Sequence, residues 1–310
     1  LYLLGSLPDN TAMPARKIQE LILVTGASGQ VGSEVCRALR AAKSEILPVD
    51  LVADPAQGVI PCDLRQKDDV AKLWRQHPVG AVIHLAAILP TAFRANPLSA
   101  AEVNLTGSVD LLRHAVKARV RRFIFVSSMA VYGLAPTPQP VTEEFSACPA
   151  DPYGGSKRAI ELIGETLRQN QQLDFISLRV SRVIGPGARN TSSPWRSQMF
   201  DPPPGLPSIS IPYGAPAWLS LVHVEDVARM LVTLLQASQV DQVVYNTPAE
   251  QWQAGDLKQL LEESLGIRVE LGPPGAHGGP TCDGGRFARE FGFQLRPLRD
   301  RLADRKRKVS

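Results

Sequence analysis

The chain has 310 residues, 44% of them apolar, with a formal net charge of +4, enough to bury a large core in one α/β domain with or without a smaller lobe. Much of the positive excess sits in Arg305-Lys306-Arg307-Lys308, and no basic stripe with interleaved aromatics appears, which argues against a nucleic-acid partner. No apolar run approaches the roughly 18 residues of a membrane span.

Cys36, Cys62, Cys148 and Cys282 are scattered without CxxC spacing or histidine pairs, so they read as free thiols rather than a disulfide frame or metal site. That usage fits a reducing, cytoplasmic compartment. The opening LYLLGSLPDNTA has no basic n-region and is a poor signal peptide. Met13 reads as a natural start behind an upstream remnant, and residues 1–20 as an extension outside the fold.

The stretch Leu21 to Gly32, LILVTGASGQVG, predicts a buried strand that stops at a glycine turn and opens a helix carrying Val31, Val35 and Leu39. A helix start offers unpaired N–H groups to an anion, and Gly26, Gly29 and Gly32 would let a pyrophosphate approach closely. The spacing is GxxGxxG rather than GxGxxG, a weak signal when taken alone. Asp50 ends the next apolar segment, where an acid would take a ribose 2′-OH; a plain solvated turn acid is the alternative. No arginine directly follows Asp50 to meet a 2′-phosphate, which favours NAD over NADP.

After Val59-Ile60, Asp63 could accept from an adenine amino group or cap the predicted helix Lys67 to Gln76. Ala81 to Ala87 predicts another buried strand ending in small residues, in which His84 reads as a packed residue rather than a catalyst. A helix follows over Ala100 to Ala118, with Asn104 placed to reach the ligand crevice, and then the strand Phe123 to Val126, ending in Ser127-Ser128. This alternation predicts a doubly wound parallel sheet with its site at the carboxyl edge.

A proline-rich loop from Gly133 leads to Asp151-Pro152, which starts a helix carrying Tyr153 and Lys157 on one face. The next strand is Leu173 to Val180. Gly185 to Pro216 reads as a ligand-covering segment anchored by Trp195 and Phe200, not as sheet. A strand at 219–222, a helix at 225–236, a last strand at 243–245 and a helix at 256–265 complete the reading, with the basic tail a solvated, disordered end.

Tyr153, Lys157 and Ser128 form a coherent chemical set. A tyrosine near its usual pKa of about 10 is a poor base at neutral pH, but a neighbouring ammonium or a positive nicotinamide would lower that value. Tyr153 could then exchange a proton with a substrate hydroxyl or carbonyl while hydride moves at the same carbon. A YxxxK pair by itself is usually a surface helix pair, and it gains force from the preceding glycine turn and Ser127-Ser128.

Taken in order, TGASGQVG, Asp50, CDL, HLAA, FVSSMAVYG, PYGGSK and LVHVEDVA resemble the extended short-chain dehydrogenase/reductases, the NAD-dependent epimerase/dehydratase group, over about Ile22 to Leu298. The resemblance implies a Rossmann-type doubly wound sheet with a smaller, discontinuous C-terminal substrate lobe. It makes Tyr153 the acid/base, Lys157 its partner and a ribose ligand, and Ser128 the substrate-orienting hydroxyl. Gly26, Gly29, Gln30, Val31 and Gly32 would hold pyrophosphate, and Asp50, Asp63 and Leu64 the adenosine half. Leu85, Ala86, Ala87 and Asn104 would line the remainder. Such enzymes often dimerise through the helices containing Asn104 and Tyr153, so a homodimer is expected. Arg182 stands where nucleotide-sugar members carry asparagine. It would pair a substrate carboxylate or serve as a structural ion-pair residue.

The expected layout is a nucleotide domain over 21–180 with a further strand and helix from 219–245, a substrate lobe from 181–218 and 246–300, and the tail 301–310. The leading function is an NAD-dependent oxidoreductase of carbohydrate metabolism, acting on a secondary hydroxyl or carbonyl of a small sugar or sugar-acid-like molecule. A nucleotide-sugar epimerase or dehydratase with recycled NAD is the rival; Glu143-Glu144, its possible extra acids, read as solvated loop residues. A cofactor-sensing protein without catalysis is the third reading, although both Tyr153 and Lys157 remain.

Overall fold

A computed structural model of the chain describes residues 20–309 apart from 135, 138 and 189–192. The extension expected over 1–20 lies outside the described residues up to residue 19, and so does the expected start at Met13.

Seven parallel strands make the central sheet: β1 (Leu21–Thr25), β2 (Ile46–Asp50), β3 (Ile60–Pro61), β4 (Val79–His84), β5 (Arg122–Ser128), β6 (Phe175–Val180) and, late in the chain, Val244–Asn246. Beyond β6, the short strands are β7 (Arg182–Ile184), β8 (Ser208–Ile211) and β9 (Trp218–His223), so that Val244–Asn246 is β10; β11 (Glu250–Gln253) and β12 (Arg268–Leu271) follow. The spatial order is β10-β6-β5-β4-β1-β2-β3. This is a Rossmann-type doubly wound sheet, and the order reverses between β1 and β4, where such sheets open a crevice at their carboxyl ends.

The inner strands read as continuous apolar runs because both faces are buried. In β1, Ile22 and Val24 join the core shared with the helices Gln30–Ala41 and Val224–Gln236, while Leu23 points into the opposite core. That second core is closed by the helices Lys67–Gln76, Ser108–Ala118 and Pro152–Gln169. Phe175 stacks on Phe123 and Phe125 there, with centroids 5.9 and 6.2 Å apart. Each such fully buried ring contributes roughly 1.5–3 kcal/mol of transfer free energy.

The strand expected at 219–222 does not extend the nucleotide sheet. It is part of β9, which pairs β7 in parallel and β11 antiparallel. The covering segment also contains sheet, since β8 pairs β12 in parallel. The strand expected to be last is therefore followed by two more. Trp195, fully buried, and Phe200, packed at the margin, anchor that segment to a third core containing Ile209, Leu219, Leu257 and Leu261.

The C-terminal tail is helical from Leu298 to Val309 instead of disordered. Leu298 and Leu302, four apart, bury one face, and Arg301 pairs with Glu225 at 2.6 Å and Asp226 at 2.9 Å. The run of charge in the sequence masked this apolar pair.

Candidate active site

The glycine turn is built by close backbone approach. Gly26 has φ +71°, the left-handed region that glycine adopts without cost, and a Cβ at Gly32 would lie 2.0 Å from the Gly26 carbonyl oxygen. Gly29 caps the helix Gln30–Ala41 without a side-chain bond, leaving its first N–H groups toward the crevice. The Ser28 N–H donates to Asp50 Oδ2 at 2.9 Å, tying the turn to the end of β2. Ser28 Oγ, on the same crevice wall, is buried without a partner. An open helix start, an orphan hydroxyl and a carboxylate at the neighbouring strand end fit the pyrophosphate and ribose of a dinucleotide.

One crevice of about 860 Å³ is lined by Gly26, Gly29, Gln30, Val31, Gly32, Asp50, Asp63, Leu64, Leu85, Ala86, Ala87, Ser128, Tyr153, Lys157 and Arg182. Asn104 is the exception among the expected residues. Its amide is spent on the backbone of Ile88, accepting from the N–H at 2.7 Å and donating to the carbonyl at 3.0 Å. It sits in a π-helical stretch, Glu102–Gly107, that joins the flanking α-helices. Asn104 thus fixes the loop after β4 rather than lining the crevice. Gln30 is likewise committed, donating to the Gly185 and Pro186 carbonyls at 2.8 and 3.0 Å.

Asp63 does not cap the helix Lys67–Gln76, whose cap is Gln66. Its carboxylate accepts from Arg65 Nε and Nη2, the latter at 2.7 Å, which holds it below the usual aspartate range. His84 is fully buried as expected, its ring nitrogens bonded to Thr25 Oγ1 at 2.6 Å and Ser108 Oγ at 2.9 Å. Burial lowers its pKa to about 3.

At the other end, Asp151 caps the helix Pro152–Gln169 by accepting from Gly154 N–H at 2.7 Å. The first turn then presents Tyr153 on the same crevice as Ser128, and the nearby Ser128 hydroxyl acts to lower the phenol's pKa. Lys157, one turn later, donates to the Val126 carbonyl at 2.8 Å, and its Nζ is 5.9 Å from the Tyr153 ring centroid. Burial dominates both groups, pushing Tyr153 up to about 12 and Lys157 down to about 7. The expected lowering of Tyr153 by Lys157 is therefore absent from the chain alone, because desolvation disfavours both charged forms.

Below this pair lies a network that the sequence reading missed. Glu161 takes a bidentate bond from Arg179, at 2.9 and 2.7 Å, and Arg179 also donates to the Tyr132 hydroxyl at 2.8 Å. Tyr132 donates to Asn246 Oδ1, and the Asn246 N–H donates to Glu143 at 2.6 Å. Glu143 is thus a buried structural acid, its side chain 3% exposed, not a solvated one. The spacing of Glu161 from Lys157 was the available signal.

The arrangement decides the family. The chain belongs to the NAD dependent epimerase/dehydratase family. That family's model matches residues 22–247. The chain is 30% identical over 259 residues to a GDP-6-deoxy-D-mannose reductase of Pseudomonas aeruginosa, covering 81% of this chain and 82% of that one. It is also 30% identical to a UDP-glucose 4-epimerase of Lactobacillus helveticus, over 53% of this chain; against that relative it spans only about half the length, 52%. A UDP-glucose 4-epimerase structure from Stenotrophomonas maltophila, with NAD and formylated UDP-arabinopyranose bound, superposes with a TM-score of 0.80 at 25% identity, over 94% of this chain and 99% of that one. Among the described residues no cluster of His, Cys, Asp or Glu could hold a metal, and no helix is long and apolar enough to cross a membrane.

Proposed function

We propose that the chain is an NAD-dependent oxidoreductase acting on a secondary hydroxyl or carbonyl of a small sugar or sugar-acid-like substrate. The observation that carries this reading is the convergence of Ser128, Tyr153 and Lys157 on the crevice that begins at the glycine turn. Bound there, NAD would supply the hydride acceptor and a positive charge. Ser128 orients the substrate oxygen by a hydrogen bond, and Tyr153 takes the hydroxyl proton in oxidation or returns it in reduction. Lys157 in its ammonium form lowers the cost of the phenolate and bonds the nicotinamide ribose. Asp50 holds the adenosine ribose, in keeping with NAD over NADP, and Asp63 and Leu64 border the adenine.

The likeness to UDP-glucose 4-epimerases favours a second reading, in which hydride returns to the same substrate and no NADH accumulates. Absorbance-monitored NADH formation with NAD and a panel of aldoses, sugar acids and nucleotide-sugars separates the two. NADH accumulating with a small substrate supports the dehydrogenase; conversion of a nucleotide-sugar without net NADH makes the chain an epimerase.

Two further readings accompany this one. The chain acts as a homodimer, supported by exposed Leu162 and Ile163 on the helix Pro152–Gln169 and exposed Leu98 on Pro97–Ala101. It works in the cytoplasm, supported by four free cysteines, of which Cys36, Cys62 and Cys282 are buried. Sedimentation of the full chain tests the first reading: a monomer at micromolar concentration would refute it.

A further inference from the structure

The covering segment contributes a second arginine that no sequence pattern singled out. Arg196, on the short helix Trp195–Gln198, lines the crevice together with Arg182 and Tyr213. Burial lowers its pKa, and the neighbouring Arg182 charge acts in the same direction. Its Nε is buried with no hydrogen-bond partner among the described residues. The Tyr213 hydroxyl lies 3.4 Å from Arg182 Nε, and the charges of both guanidiniums act on it. Burial by itself would raise that phenol, but the two cations outweigh it and hold it below the usual tyrosine range.

The fully buried arginines meet carboxylates, Arg122 pairing with Asp174, Arg179 with Glu161 and Arg301 with Asp226, whereas Arg182 and Arg196 are half-buried. Among the described residues, Arg182 and Arg196 meet no carboxylate. Arg182 donates to the Gly278 carbonyl and to Tyr213, while among the described residues its Nη1 has only the Met129 sulfur at 3.9 Å. Two like charges facing one crevice without a counter-ion are costly in a low-dielectric setting, and a ligand that supplies the anion removes the cost. Met129 directly follows Ser128, so the under-used donor of Arg182 lies at the strand end that carries the substrate-orienting hydroxyl.

We propose that Arg182, Arg196 and the Tyr213 hydroxyl form an anion seat at the substrate end of the crevice, holding the ionised carboxylate or phosphoryl group of a small hydroxylated substrate. The seat deepens the oxidoreductase reading and rests on it for the adjacent hydroxyl to be the reacting one. Guanidinium forks take either anion in a bidentate manner. The seat and Ser128 line the same crevice, so one small substrate can reach both.

The test is a binding titration of the full chain with tartrate, inorganic phosphate and uncharged erythritol, followed by calorimetry and intrinsic fluorescence. Trp195 reports on the site, since its ring is 6.3 Å from Tyr213 and lies under Arg196. At least one anion is expected to bind saturably where erythritol does not. Arg196→Met and Arg182→Met should each weaken that binding about 10- to 100-fold, with NAD affinity unchanged. Arg196→Lys, which keeps the charge and loses the fork, should recover part of the affinity and replaces Arg196→Met if that variant does not fold. Tartrate alone binding identifies a carboxylate seat, and phosphate alone a phosphoryl seat. No saturable anion binding by the wild-type chain, or undiminished binding in the folded Arg196 variants, overturns the seat. Anion binding without NADH formation from any substrate keeps the seat and sinks the oxidoreductase reading. NADH formation that is indifferent to substrate charge does the reverse.

Discussion

The two ends of the crevice treat buried charge and polarity in opposite ways. Toward the sheet, the larger polar and charged side chains are matched from within the chain: His84 between Thr25 and Ser108, Asn104 on Ile88, Glu161 on Arg179. Toward the covering segment, Arg182 and Arg196 face a phenol in place of a carboxylate. Matched groups hold the sheet, helix and loop in one geometry, because leaving either partner unpaired is expensive. Unmatched charge holds nothing rigid by itself and is better placed to receive a ligand. Among the described residues the sheet end has exceptions of its own, the partnerless buried hydroxyls of Ser28, Ser127 and Ser181, and they too line the crevice.

The largest expected effect sharpens that contrast at its centre. Tyr153→Phe removes only the hydroxyl proposed to exchange the proton, so turnover should fall about 10²- to 10⁴-fold while calorimetric NAD affinity stays near wild type. A fully active variant would sink the mechanism. Glu161→Gln breaks a matched pair and should cost about 3–5 kcal/mol of stability in urea unfolding, since it leaves Arg179 buried and uncompensated. A loss no larger than that of an exposed ion pair would show that the network is not structural. Gly32→Ala drives a Cβ into the Gly26 carbonyl and should cost about 1–3 kcal/mol, with NAD affinity lost as the turn opens. Normal stability and binding in that variant would contradict the tight turn.

A pH effect follows from His84. The folded chain keeps it neutral down to about 3, whereas the unfolded chain takes up the proton near 6.5. Between those values the unfolded state binds more protons, so this contribution is complete above pH 6.5 and is lost as pH falls toward 3. Thermal midpoints measured across that window should drop with acid, and less steeply in His84→Gln; parallel curves would remove His84 as the cause. Smallest of all, Arg65→Ala at the exposed Asp63 pair should leave the thermal midpoint unmoved. A clear drop would show that Arg65 bears structural weight.

Much of this organisation is legible in the sequence. The strands β1, β4 and β5 carry apolar runs on both faces and stand out for that reason, whereas Ser177 and Arg179 interrupt β6. Tyr153 and Lys157 are one helical turn apart, a relation that spacing alone conveys. Asp151-Pro152 announced the start of their helix. The paired strands β8 and β12 were not legible, because each is only four residues long and its partner lies far along the chain. The tail helix was hidden by its charges, since only Leu298 and Leu302 betray a buried face.

The sheet class, the glycine turn and the placing of Tyr153 and Lys157 on one helical turn are written in the sequence, because each is a pattern among neighbouring residues that geometry converts directly into structure. Only the tertiary structure decided that Asn104 serves a loop, that Glu143 is buried, and that Arg196 joins Arg182 around Tyr213. Whether a buried charge meets a counter-ion depends on side chains brought from separate strands and helices, and no local period or spacing records that.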